Sequence, residues 1–218
     1  MHTSTNPHLL KNFILLFSFI IVGVFQGCST NSSKPNKKDS TILASTNVVK
    51  ANTGFNDFLK KFKVLSLPLT IKTLEIVVDS SKKLNNKDNI FIKSDYPNEI
   101  YAYGMLPDTE NSYKIIWLAP AEVEIPILTT FTKDGKKIKE EQLGVGGCGS
   151  DCGFSCNEFI TINKELTIFS RDSINSTDCD TSGNTMENTT KKYISYKTGK
   201  IMKDGKIRMS AILEKSTN

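Results

Sequence analysis

Only two histidines, His2 and His8, occur in the 218 residues, and none follows position 8. Beyond that point there is no imidazole for a Ser-His-Asp triad, a Cys-His pair, the usual catalytic zinc site or a neutral-pH base. Carboxylate, lysine, tyrosine and cysteine chemistry remain. No run of basic residues interleaved with aromatics occurs, so no nucleic-acid face is expected. No apolar run reaches the roughly 20 residues of a membrane span. Cys-x2-Cys is absent and the cysteine spacing misses the iron–sulfur patterns, which argues against thioredoxin-like and cluster chemistry. The single tryptophan, Trp117, sits in a continuous apolar stretch and reads as core. No cofactor motif is present.

What is there begins with Phe13–Phe25, "FILLFSFIIVGVF", an uncharged run preceded by Lys11. Its length and positive flank are those of a secretory signal core. The residues that follow, Phe25-Gln26-Gly27-Cys28-Ser29, resemble the lipobox of bacterial lipoproteins. That resemblance implies a signal peptide over 1–27, cleavage before Cys28, and acylation of the Cys28 thiol and of the new amino terminus. Acyl chains add about 0.8 kcal/mol of membrane affinity per buried methylene, and two or more hold stably. Cys28 is thus expected as an anchor, with the membrane as partner and an envelope protein as a possible second one. Ser29 is not the Asp that resembles an inner-membrane retention signal, and no acidic surface-export cluster follows it. The expected location is therefore the outer membrane, facing the periplasm.

Only Lys11 among the Lys, Arg, Asp and Glu residues precedes Cys28, so the formal charge of +5 becomes +4 once that segment is removed. Residues 28–51 are rich in Ser, Thr, Asn and Lys, cannot bury enough surface to order themselves, and read as a tether with a reach of roughly 25 Å. Residues 52–218 are expected to form one β-rich domain. Phe55, Phe58, Leu59 and Phe62 recur at helical spacing behind Asn52 or Thr53 as N-cap, which predicts one short amphipathic helix ended before Pro68. Thereafter apolar segments are separated by turn residues. Hairpin turns are expected at Asp134-Gly135, Asn163-Lys164 and Thr198-Gly199. The fold class is mostly β: an antiparallel meander, as a curved sheet or partly open barrel. In texture the chain resembles small uncharacterised envelope lipoproteins of Bacteroidota-type bacteria, a resemblance that implies no activity.

Five of the chain's glycines fall in residues 143–156, "LGVGGCGSDCGFSC", with Cys148, Cys152 and Cys156. With Cys179 they make an even set of four, which in an exported domain reads as two disulfides. The expected pairing is Cys156–Cys179 with Cys148–Cys152, and the alternative is Cys152–Cys156 with Cys148–Cys179. Three clustered cysteines and one distant one do not match the two paired knuckles of structural zinc, so no metal site is expected. "DCDTSG", Asp178–Gly183, opens like a calcium loop but lacks the glutamate at the twelfth place, so Asp178 and Asp180 are expected in a solvated loop. Glu122/Glu124 and Glu140/Glu141 offer carboxylate pairs without an evident partner. The expected role is a binding or scaffolding module. The alternatives are a carrier of an apolar ligand, signalled by an internal apolar pocket, and a histidine-independent hydrolase, signalled by carboxylates converging in a cleft.

Overall fold

The first described segment is the predicted helix, α1 (residues 53–59), where Phe55, Phe58 and Leu59, with Phe62 just past its end, are buried. The computed structural model describes residues 53–95, 99–146, 148–149 and 151–217. Cys28, the signal segment 1–27 and the tether 28–51 lie outside the described residues. After α1 come β1 (Leu69–Lys72), two short 3-10 turns and a second helix, α2 (Asn86–Ile92). Sheet A follows as β2 (Tyr101–Met105), β3 (Tyr113–Ala119), β4 (Ile125–Phe131) and β5 (Lys137–Gln142), paired antiparallel in chain order. Sheet B holds β6 (Phe154–Ile162), β7 (Thr167–Ser176) and β8 (Lys191–Ile201), with β9 (Ile207–Met209) and β10 (Leu213–Ser216) both on β8. Strand β1 joins sheet B beside β6, with Leu69 opposite Ile162.

The fold is mostly β and antiparallel, as the turn pattern predicts, but the strands make two sheets that do not close into a barrel. The reason lies in β3. Its sequence YKIIWLA is apolar on both faces, so it needs cover on both. Ile116 joins Leu128, Ile160, Ile162, Ile168 and Ile201 in a core between the sheets. Ile115 and Trp117 join Phe131 and the phenylalanines of α1 in a second core on the other side. There Phe55 meets Phe131 with ring centroids 5.3 Å apart, and Phe58 meets Phe91 at 4.9 Å. Each fully buried phenylalanine contributes about 2 kcal/mol or more. Trp117 is core, its indole N–H donating to Thr129 Oγ1 at 2.9 Å.

Two expectations are corrected. One short helix is too few, because Asn85 and Asp88 form a reciprocal capping box that starts α2, and Lys61 pairs with Asp88 at 2.6 Å. Thr198-Gly199 is not a turn: both residues lie inside β8, and the chain reverses at Asp204-Gly205 instead. Asp204 accepts the Lys206 amide at 3.0 Å and Gly205 takes φ +83°, chemistry that the β-branched Thr198 does not supply. The turns at Asp134-Gly135 and Asn163-Lys164 are as expected.

Candidate functional site

The β6–β7 hairpin sets two chemically distinct regions about 27 Å apart, one at each end of its strands. At the open end sit the four cysteines, bonded as Cys148–Cys156 and Cys152–Cys179. All four pair, but neither expected connectivity is present. Register explains why. Phe154 is opposite Ser176 and Cys156 opposite Ile174, so the return strand carries Cys179 past Cys156 to the level of Cys152. Gly153, at φ +68°, lets the backbones meet: its carbonyl accepts the Thr177 amide at 2.8 Å, and a Cβ there would stand 2.2 Å from the Thr177 oxygen. Cys156 is left to the loop, which folds back so that Cys148 reaches it with Cα atoms 5.5 Å apart.

Beside this staple lies a row of polar residues that composition does not announce. Glu158, Asp172, Ser195 and Glu214 stand side by side across β6, β7, β8 and β10. Glu158 and Asp172 are buried. Glu158 accepts the Gly146 amide at 3.0 Å, and Asp172 accepts the Asn157 amide at 3.0 Å. Burial pushes the Asp172 carboxyl above the usual carboxylate range, and the neighbouring Glu158 pushes the same way. Lys197, also buried, donates to the Gln142 carbonyl at 2.9 Å. Burial lowers its affinity for a proton, and the charges of Glu158 and Glu141 partly restore it. The cavity that Glu158 and Cys148 line measures about 60 Å³, the room of about two waters. The arrangement is therefore a buried charge network under a disulfide, without room for a substrate. Cys148, Cys156 and Asp172 would cluster closely enough for a metal, but both sulfurs are spent on their bond and offer no thiolate.

The other sequence candidates resolve simply. Asp180 accepts the amides of Ser182 and Asn184 at 2.8 and 2.9 Å, and the Asn184 bonds hold its carboxyl below the ordinary range. Its oxygens close the loop on itself, as the solvated-loop expectation has it. Glu122 and Glu124 lie in the β3–β4 turn rather than on a strand. Glu140 accepts from Thr129 and Lys137, at 2.7 and 2.9 Å.

At the closed end of the hairpin the β6–β7 turn, the β8–β9 turn and the β2–β3 loop surround a surface cleft of about 620 Å³. Its floor is apolar: Leu166, Ile201 and Met202. Its rim carries Lys164, Lys200, Lys203, Lys206 and Arg208 against Asp108, Glu165 and Asp204. Asp204 is taken by Lys206 at 2.8 Å, and Asp108 by the buried Lys114 at 3.2 Å. Four rim cations then remain against the single carboxylate of Glu165. The wall is firmly seated: Thr130 donates to the Gly205 carbonyl at 2.6 Å, pinning the β8–β9 turn to sheet A. None of these rim residues stands out in the sequence, because they come from three separate turns and the strand ends beside them. The only available signal is the second "KDGK" at 203–206, which repeats the turn at 133–136. A third hollow, about 440 Å³, opens between α1 and α2 beside Phe58 and Phe91. No known protein family, curated protein or solved structure matches this chain.

Proposed function

We propose that this chain is a lipid-anchored binding module of the bacterial envelope, held at the outer membrane through Cys28, facing the periplasm, and taking its ligand in the cleft between the β6–β7 and β8–β9 turns. The observation that carries the reading is the cleft. Its 620 Å³ lies within the range of about 300–1,000 Å³ that small-molecule sites occupy, and it joins an apolar floor to a few charged groups on its rim. Two disulfides in a domain without a single histidine fit an oxidising compartment and a non-catalytic role. Lipobox-like Gly27-Cys28 and the following polar tether supply the anchor and the reach.

The two alternative roles have weaker support. A carrier's cavity would lie within the core, whereas the core between the sheets is filled by interlocking isoleucine and leucine side chains. A hydrolase would use carboxylates converging in an open cleft, whereas Glu158 adjoins a space of about 60 Å³, and Asp108 and Asp204 of the larger cleft are held by Lys114 and Lys206. The test is native mass spectrometry of the chain released from its own envelope. A bound mass carried by the native chain and lost from Met202→Trp, which sets an indole over the apolar floor, is the expected result. A chain whose bound masses are the same with and without that substitution would overturn the reading.

A further inference from the structure

We infer that the cleft takes a single-chain anionic amphiphile, an oxyanion headgroup held at the rim by Arg208 and Lys203 with its aliphatic chain on the Leu166–Met202 floor. The inference rests on the cleft being the ligand site and adds the chemistry of what fills it.

Three features point to that chemistry. The first is a like-charge pair. Lys200 on β8 is directly opposite Arg208 on β9, so the two side chains share a face of the sheet. Like charges directly across a strand pair are destabilising, and a bound anion relieves them. Lys200 turns its amine to the Glu165 carbonyl and, at 3.5 Å, to Thr167 Oγ1. Arg208 has no ion-pair partner among the described residues, and neither do Lys203 and Lys164. A free guanidinium presents a planar fork that matches phosphate or carboxylate oxygens.

The second feature is Leu166. It sits at φ +60°, a left-handed conformation that a bulky side chain adopts only at a cost. Asn163 holds the turn, its side chain accepting the Thr167 amide at 2.7 Å and its carbonyl the Leu166 amide at 3.0 Å. A glycine or asparagine would meet the backbone's needs there. Leu166 is instead 9 % exposed, its isobutyl group packing into the core between the sheets and giving its outer edge to the cleft floor, where Ile201 donates its amide to the Leu166 carbonyl at 3.0 Å.

The third feature is the division of the cleft itself. Its apolar lining residues, Leu166, Ile201 and Met202, are buried or half-buried, whereas its lysines and Arg208 are exposed. An inorganic anion would leave that floor wet, and a neutral hydrocarbon would leave the cations uncompensated. A molecule with both parts satisfies both surfaces. Phosphate and carboxylate headgroups share this chemistry.

The test uses the full chain in phosphatidylcholine nanodiscs, with empty discs as reference, titrated with hexyl phosphate, hexanoate, hexanol and inorganic phosphate. Hexyl phosphate or hexanoate should bind at least tenfold more tightly than hexanol and inorganic phosphate, and the tighter of the two names the headgroup. Arg208→Gln with Lys203→Gln should weaken that probe at least tenfold, leave hexanol unchanged and keep the native disulfide map as evidence of folding. Hexanol binding as tightly as hexyl phosphate, or a double variant with undiminished affinity, overturns the anionic assignment. In that case Met202→Trp still blocking hexanol leaves the cleft as the ligand site. Inorganic phosphate as tight as hexyl phosphate overturns the amphiphile, and native protein that binds none of the probes overturns the whole inference. The mass-spectrometric loss with Met202→Trp reports on the cleft separately from all of these.

Discussion

Asp172 is the most informative single residue of the fold. It is buried, faces Glu158 across the β6–β7 pair, and has its proton affinity raised first by burial and then by that neighbour. A carboxyl whose folded pKa exceeds its unfolded value holds its proton longer in the native state. As pH rises from about 4 the unfolded chain ionises first, so the native state loses stability until the folded pKa is passed. Asp172→Asn removes that titration and can still accept the Asn157 amide. Urea unfolding followed from pH 4 to pH 8 should therefore show the variant gaining on the native chain as pH rises. Parallel curves for the two proteins would show that Asp172 carries no such linkage. This residue was not legible as a site. Alternation puts it on the inward face of β7 with Ile168, Ser170 and Ile174, but a lone aspartate inside "SRDSINS" gives no sign that Glu158 stands opposite.

At the scale of elements, the hairpins were legible because apolar segments and turn residues alternate clearly. Their centres were harder to place. "KTGK" at 197–200 and "KDGK" at 203–206 look alike, yet only the aspartate can accept the amide two residues on. The cysteine pairing was more legible than the expected one suggests. A hairpin turning at Asn163–Leu166 mirrors Cys179 onto the level of residue 151, beside Cys152, and leaves Cys156 facing Ile174. Counting register from the turn favours this bridge over Cys156–Cys179, since Phe159 is opposite Arg171 and Cys156 opposite Ile174. The two bridges should differ in worth. Cys152–Cys179 spans 27 residues and stabilises by about 3.5 kcal/mol in the chain-entropy model, whereas Cys148–Cys156 spans 8 and stabilises by about 2.5 kcal/mol. Chemical denaturation of the Cys152→Ala/Cys179→Ala and Cys148→Ala/Cys156→Ala pairs should rank them in that order. Non-reducing peptide mapping of the native chain should recover both bridges, and a Cys148–Cys152 peptide would contradict the register argument.

For the whole molecule, the mostly β class was legible and the division into two sheets was not. Local periodicity states which residues are buried, but not that β1 leaves its neighbours in sequence to pair with β6 some ninety positions on, Leu69 against Ile162. Residues 63–65 also bond to Met105 of sheet A, so this short N-terminal stretch ties both sheets together. The proposed anchor is tested at the same scale. Cys28→Ser should abolish acylation and block cleavage, so that the variant keeps residues 1–27, read by mass spectrometry of the amino terminus. A native chain that still begins at Met1 and carries no lipid would contradict it.

The two bridges are interlaced along the chain: 148 to 156 and 152 to 179, each straddling one end of the other. A polypeptide threaded amino end first into an oxidising compartment presents its thiols in order of emergence. Cys148 and Cys152 come out first, and an oxidant that joins thiols as they arrive would tie those two, a bond the finished fold does not contain. The native pattern requires either that oxidation wait until residue 179 has emerged and the hairpin has set its register, or that an early bond be exchanged through thiolate attack. Where the oxidant acts before residue 179 arrives, maturation of this domain requires disulfide exchange, and loss of an isomerase should then leave a trapped isomer joined between Cys148 and Cys152.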